Sequence, residues 1–132
     1  MMETNKGCSI LVSSCDAYCD LWEPFFNSFY QNWPDCPYKV YLLTENKTCN
    51  REGIQTIKGG FNTNWSDRLI TALSLIHEER IILILEDFFL RSKVDTSSVD
   101  SLLDLSKSED IPMLRLIPRP SPDLNNQVYD GL

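Results

Sequence analysis

The feature that most constrains the fold is Arg80 to Leu85, RIILIL, an apolar run without polar alternation that ends directly in two acids, Glu86 and Asp87. A strand with one solvated face alternates apolar and polar residues, whereas a parallel strand sheathed on both faces reads as unbroken Ile, Leu and Val. The run therefore predicts a central parallel strand. Parallel neighbours are joined by crossovers, usually helical, so the rest of the chain must supply strands and helices in alternation.

It does so on both sides of that run. Cys8 to Ser14 (CSILVSS) reads as a buried strand closed by small polar residues, Tyr38 to Thr44 (YKVYLLT) as a second strand, Gly53 to Ile57 as a short third and Met113 to Ile117 as a last one. Trp22, Phe26 and Tyr30 step by four, as do Leu21, Phe25 and Phe29, which predicts a helix from about Glu23 to Asn32. Pro24 fits its first turn, Trp33-Pro34 stops it, and Trp22, Phe25, Phe26 and Phe29 are assigned to the core. A second helix carries Trp65, Leu69, Ala72, Leu73 and Ile76 behind Asn64 or Ser66 as cap. A third carries Val99, Leu102, Leu103 and Leu105 behind Asp95 or Thr96, and Gly59-Gly60 reads as a turn. The expected class is α/β: a three-layer, Rossmann-like, mostly parallel sheet with helices on both faces and right-handed crossovers. One domain is expected over residues 1–132, with a core at about 8–117 and a proline-rich arm or loop at 118–132.

Charge narrows the partners. With 12 Lys and Arg against 19 acids and a net charge of -7, the chain is a poor ligand for nucleic acid or an anionic membrane, both of which ask for a basic face. A phosphorylated small molecule remains compatible, because a single basic group, backbone N–H donors or a metal can hold it. No apolar run approaches the roughly 20 residues of a membrane span, so no transmembrane segment is expected. The N-terminal MMETNK shows no signal-peptide pattern. Five cysteines, an odd number with no Cys-x-x-Cys pair and a single His beside them, make a poor zinc or disulfide framework. Mostly buried thiols in a reducing, cytoplasmic setting are expected instead.

In an open α/β sheet, ligands bind beyond the carboxyl ends of the strands. That rule selects Ser13, Ser14 and Asp16 after the first strand, Thr44 and Glu45 after the second, and Glu86 with Asp87 after RIILIL. Adjacent carboxylates repel unless a cation, an Arg or N–H donors compensate. Mg²⁺ or Mn²⁺ bound together with substrate phosphates meets that need; so does a helix N-cap, or an ion pair with Arg68 or Arg91, and the residues alone leave both readings open. Asp67-Arg68 opens the second helix, where the dipole favours an anion and Arg68 can clamp a diphosphate. The plainer alternative is that Asp67 complements the dipole and Arg68 is a solvated surface residue. His77 suits a helix C-terminal dipole, and no glycine-rich phosphate loop or nucleophile elbow occurs.

The segments SSCDAYCDLWEPFFNSFYQNWPDCPYKVYLLTE, NWSDRLITALSLIHEERIILILEDFFL and MLRLIP together resemble GT-A type glycosyltransferase-like proteins of bacterial surface polysaccharide synthesis, over roughly residues 8 to 118. The resemblance implies the nucleotide-diphospho-sugar transferase fold, shortened on its C-terminal side, and a hexosyl-type transfer from a nucleotide-sugar donor to a glycan or lipid-linked acceptor. By position it puts Ser13, Ser14 and Asp16 near base and ribose, Asp67 and Arg68 near ribose or diphosphate, and Glu86 with Asp87 at a divalent metal, Mn²⁺ or Mg²⁺. The acidic motif departs from the family's Asp-x-Asp, with Phe88 at the second acid's place when Glu86 is aligned with the first. The resemblance identifies no catalytic base, since the family's base and acceptor elements lie beyond the acidic motif. The implied protein is either a piece of a longer enzyme or a shortened relative, and the alternative function is a nucleotide-sugar-binding or assembly module that transfers nothing. An uncovered edge at Met113 to Ile117 would invite a second copy.

Overall fold

Four segments have the sequence to extend, and in the computed structural model, which describes residues 7–61 and 64–114, they pair side by side. They are β1 (Cys8–Ser13), β2 (Lys39–Thr44), β3 (Ile54–Lys58) and β4 (Arg80–Leu85). All three pairings are parallel and the order is β3-β2-β1-β4. The chain divides into two compact units, residues 1–94 and 95–132, and the sheet lies in the first.

Two helices complete that unit: α1 (Trp22–Asn32), entered through a 3-10 segment at Asp16–Leu21 that the spacing does not foretell, and α2 (Trp65–Leu75). The path from β1 to β2 steps one way along the sheet and the path from β3 to β4 steps back the other way. With right-handed crossovers, opposite steps put α1 and α2 on opposite faces. The packing agrees for α2, whose Ala72 joins Ile76, just beyond the helix, over Leu11, Tyr41, Leu43 and Ile57, all on one face, with Leu69 and Ile81 at the margin. The other face presents Ile10, Val12, Val40 and Leu42, all buried. On α1, Trp22, Phe25, Phe26 and Phe29 are buried as expected, with Phe25 edge-on to Phe26 at 5.1 Å.

The expectation that RIILIL is fully sheathed is not met: β4 is only half-buried, with Leu83 45% exposed, and it stands at the edge of the four described strands. The central, wholly buried strand is β1, although CSILVS contains two serines. An apolar run reports that a strand can pair and pack. It does not report rank in the sheet, which crossover direction decides. The second helix also departs from its pattern, because Trp65 and Leu73, counted into its core stripe, are 46% and 47% exposed.

The second unit contains α3 (Thr96–Ser108). Of the two expected caps the structure uses Asp95, whose Oδ1 accepts from the Ser97 amide and hydroxyl and whose Oδ2 accepts from the Ser98 hydroxyl. Met113 and Leu114 lie in irregular backbone; the remainder of the expected last strand, 115–117, and the arm at 118–132 fall outside the described residues. No described helix is long and apolar enough to cross a membrane.

Candidate strand-end site

Chain direction along the sheet reverses at β1, since β2 and β3 lie on one side of it and β4 on the other. In open parallel sheets ligands bind beyond the carboxyl ends of the strands at such a reversal, which here falls between β1 and its neighbours. Ser13 and Leu85 are partners in the β1–β4 ladder, and the next residues out are Ser14 on one strand and Glu86 on the other. The topology thus brings two groups of residues selected from the sequence to a single edge.

Glu86 is half-buried and Asp87 exposed, at the centre of a turn closed by the Phe88 amide donating to the Leu85 carbonyl at 3.0 Å. Neither carboxylate has a hydrogen bond or ion pair to a described residue. They cap no helix, because the next one begins at Thr96 behind Asp95. Two adjacent carboxylates suit Mg²⁺ or Mn²⁺, hard cations that keep waters and accept phosphate oxygens, better than a closed all-protein cage. Among the described residues no three His, Cys, Asp or Glu side chains converge on a metal position.

The β1 end holds two indoles. Trp65 Nε1 donates to Ser13 Oγ at 2.9 Å and Trp22 Nε1 donates to Ser14 Oγ at 2.8 Å. Trp22 is 7% exposed, so its bond satisfies a core indole; Trp65 makes the same kind of bond with about half of the residue exposed.

Asp16 turns toward the loop after β2. Its Oδ1 accepts from the amides of Glu45, Asn46 and Lys47 at 3.1, 3.2 and 3.1 Å, and Oδ2 accepts from Asn46 at 3.1 Å. In return the Asp16 amide donates to Glu45 Oε1 at 3.0 Å. Burial pushes this carboxyl's pKa up, but the amides of Lys47, Asn46 and Glu45 and the Lys47 charge outweigh it and hold the group below its ordinary range. Asp16 thus occupies an anion-binding nest of backbone amides and pins the β2–β3 loop.

Asp67 lies in the first turn of α2, its amide donating to the Asn64 side chain at 2.8 Å, which selects Asn64 over Ser66 as the cap. Arg68 folds back toward β2 and approaches Glu45 at 3.9 Å, with 11% of its side chain exposed. Gly59 makes room for it: a Cβ there would come within 2.7 Å of Arg68 Cγ. The Gly59 amide donates to the Thr44 carbonyl and the Gly60 amide to that of Glu45, so the expected turn is also the seat of the arginine. Gly59 and Trp65 are the residues whose place here the sequence reading missed. The sequence signals were a second glycine where one suffices for a turn and a tryptophan at the first helical position, ahead of the buried stripe. A groove of about 670 Å³ lined by Tyr41, Cys49, Ile57, Lys58 and Leu75 runs along β3 and includes none of these residues.

No family model, curated protein or solved structure matches the chain. The functional reading therefore rests on the strand ends themselves.

Proposed function

We propose that this chain binds a nucleotide-sugar donor across the ends of β1 and β4, as the donor-binding part of a GT-A-like hexosyltransferase acting in cytoplasmic polysaccharide synthesis on a glycan or lipid-linked acceptor. The observation that carries the reading is the pair of carboxylates, Glu86 and Asp87, unpaired among the described residues and held in a turn beside the switch point of a parallel sheet. An acidic chain gains nothing from leaving two adjacent charges uncompensated; a donor diphosphate arriving with a divalent cation compensates them. Mg²⁺ or Mn²⁺, held by Glu86 and Asp87, would supply the charge neutralisation that makes a nucleoside diphosphate a leaving group. In this reading Ser13 and Ser14 would border the donor on β1 and Asp67 at the start of α2. Arg68, turned toward Glu45 beyond β2, would have to swing out to reach it, and Asp16 keeps the loop after β2 in place. Preorganisation of this kind lowers the ordering cost of binding.

The second reading is a module that binds the donor without transferring sugar. Calorimetry with UDP-, GDP- and dTDP-sugars, with and without Mn²⁺, tests the donor site. Mn²⁺-dependent heat with at least one of them is expected, and turnover assayed on the same sample separates enzyme from module. Absence of heat and of any thermal shift with all of them refutes both.

A further inference from the structure

We infer that Trp65 is a stacking platform for the planar base of the nucleotide, an assignment that rests on the donor-site reading and names the part of the ligand this residue takes. The chain has three tryptophans, and two of them, Trp22 and Trp33, are 7% and 3% exposed. Trp65 is 46% exposed, yet its indole is tied through Nε1 to Ser13 Oγ at 2.9 Å. A surface tryptophan that serves only as filler either lies flat on the apolar surface or turns freely. This one is fixed at its polar edge while its ring remains available, so the rotamer freedom a ligand would otherwise have to freeze is already lost.

The anchor identifies the location. Ser13 is the last residue of β1 and pairs with Leu85, the residue before Glu86, so the ring is tethered to the strand beside the one that carries the acids. Within a nucleoside diphosphate the base is the part with flat π faces and the phosphates are the part that seeks a cation. An aromatic ring on one strand end and two carboxylates on the next match that division of chemistry.

The test uses the full chain and its own fluorescence, since Trp65 is the exposed emitter. Uridine and guanosine diphosphates are titrated beside pyrophosphate and free glucose, all with Mn²⁺. The expected result is quenching by a nucleoside diphosphate and none by pyrophosphate or glucose. Trp65→Leu, verified as folded by circular dichroism and melting temperature, should bind that nucleotide about tenfold more weakly by calorimetry, which is the scale of one lost base–aromatic stack. Trp65→Phe, which keeps a ring, should recover most of the loss even if the leucine variant proves unstable. Equal affinity of wild type and both variants overturns the platform while leaving the donor site standing. Quenching by glucose or pyrophosphate alone also overturns it, and failure of the wild type to bind any nucleotide overturns platform and donor site together.

Discussion

Replacing Gly59 with alanine tests whether the seat of Arg68 is built as described. A Cβ at this position would stand 2.7 Å from Arg68 Cγ and 2.9 Å from its Cβ, both closer than carbon atoms tolerate, and 3.1 Å from its Cδ, a tight contact. Swinging the guanidinium away relieves the contact with Cδ only. The Cβ is fixed to α2, so the helix start or the turn after β3 must move. Overpacking of this kind costs about 1–3 kcal/mol. Arg68→Ala alone removes a partly buried ion pair at 3.9 Å, for which about 0–1 kcal/mol is the usual scale. The double variant lacks Cγ and Cδ, so its cost should fall short of the sum of the single costs by about 1 kcal/mol, a coupling that urea denaturation resolves. Additive costs, or a Gly59→Ala protein as stable as wild type, would show that the side chain of Arg68 does not rest on this turn.

Two further predictions concern titratable groups. The folded-state pKa of Asp16 is lowered, so its contribution is fully present above the unfolded value near 3.8 and is lost as pH falls through the lower folded value. Asp16→Asn should therefore lower the urea midpoint at pH 7, with the gap to wild type narrowing below pH 4; a gap that persists at pH 2 contradicts the charge-based account. Burial pushes the Cys36 thiol up to about 11, and Cys8 is fully buried. Mass-spectrometric mapping after brief iodoacetamide treatment of the native protein at pH 8 should find these two cysteines labelled last, and early labelling of Cys36 would refute the assignment.

Much of the architecture was legible because it is local. The step of four among the α1 aromatics and the stop at Trp33-Pro34 appear as expected, and of the two caps offered, Asp95 or Thr96, the chain uses Asp95; each depends on residues within a turn or two. What sequence spacing could not supply was arrangement. The run RIILIL identified a strand, but its position at the edge of the four described strands follows from a reversal in crossover direction that no single segment encodes. Trp65 fits the helical repeat of Leu69 and Ala72, yet it begins α2 and stands outside the cluster that those residues join. The clamp of Asp16 on the amides of residues 45–47 spans about 30 positions of chain, and the contact of Gly59 with Arg68 is a matter of tenths of an ångström. Strand ends selected from the sequence as neighbours of a ligand do converge at β1 and β4, because a parallel sheet puts every carboxyl end on one edge.

Paramagnetic broadening in an amide NMR spectrum, recorded with substoichiometric Mn²⁺ and a sugar nucleotide that gives heat in calorimetry, tests the donor-site account most directly. The account predicts that signals of residues 13–14 and 85–88 broaden first, followed by those at the start of α2, and that Glu86→Gln with Asp87→Asn abolishes the effect. Broadening centred on the opposite ends of the strands, around Gly7, Lys39 and Arg80, or unchanged in the double variant, would contradict it.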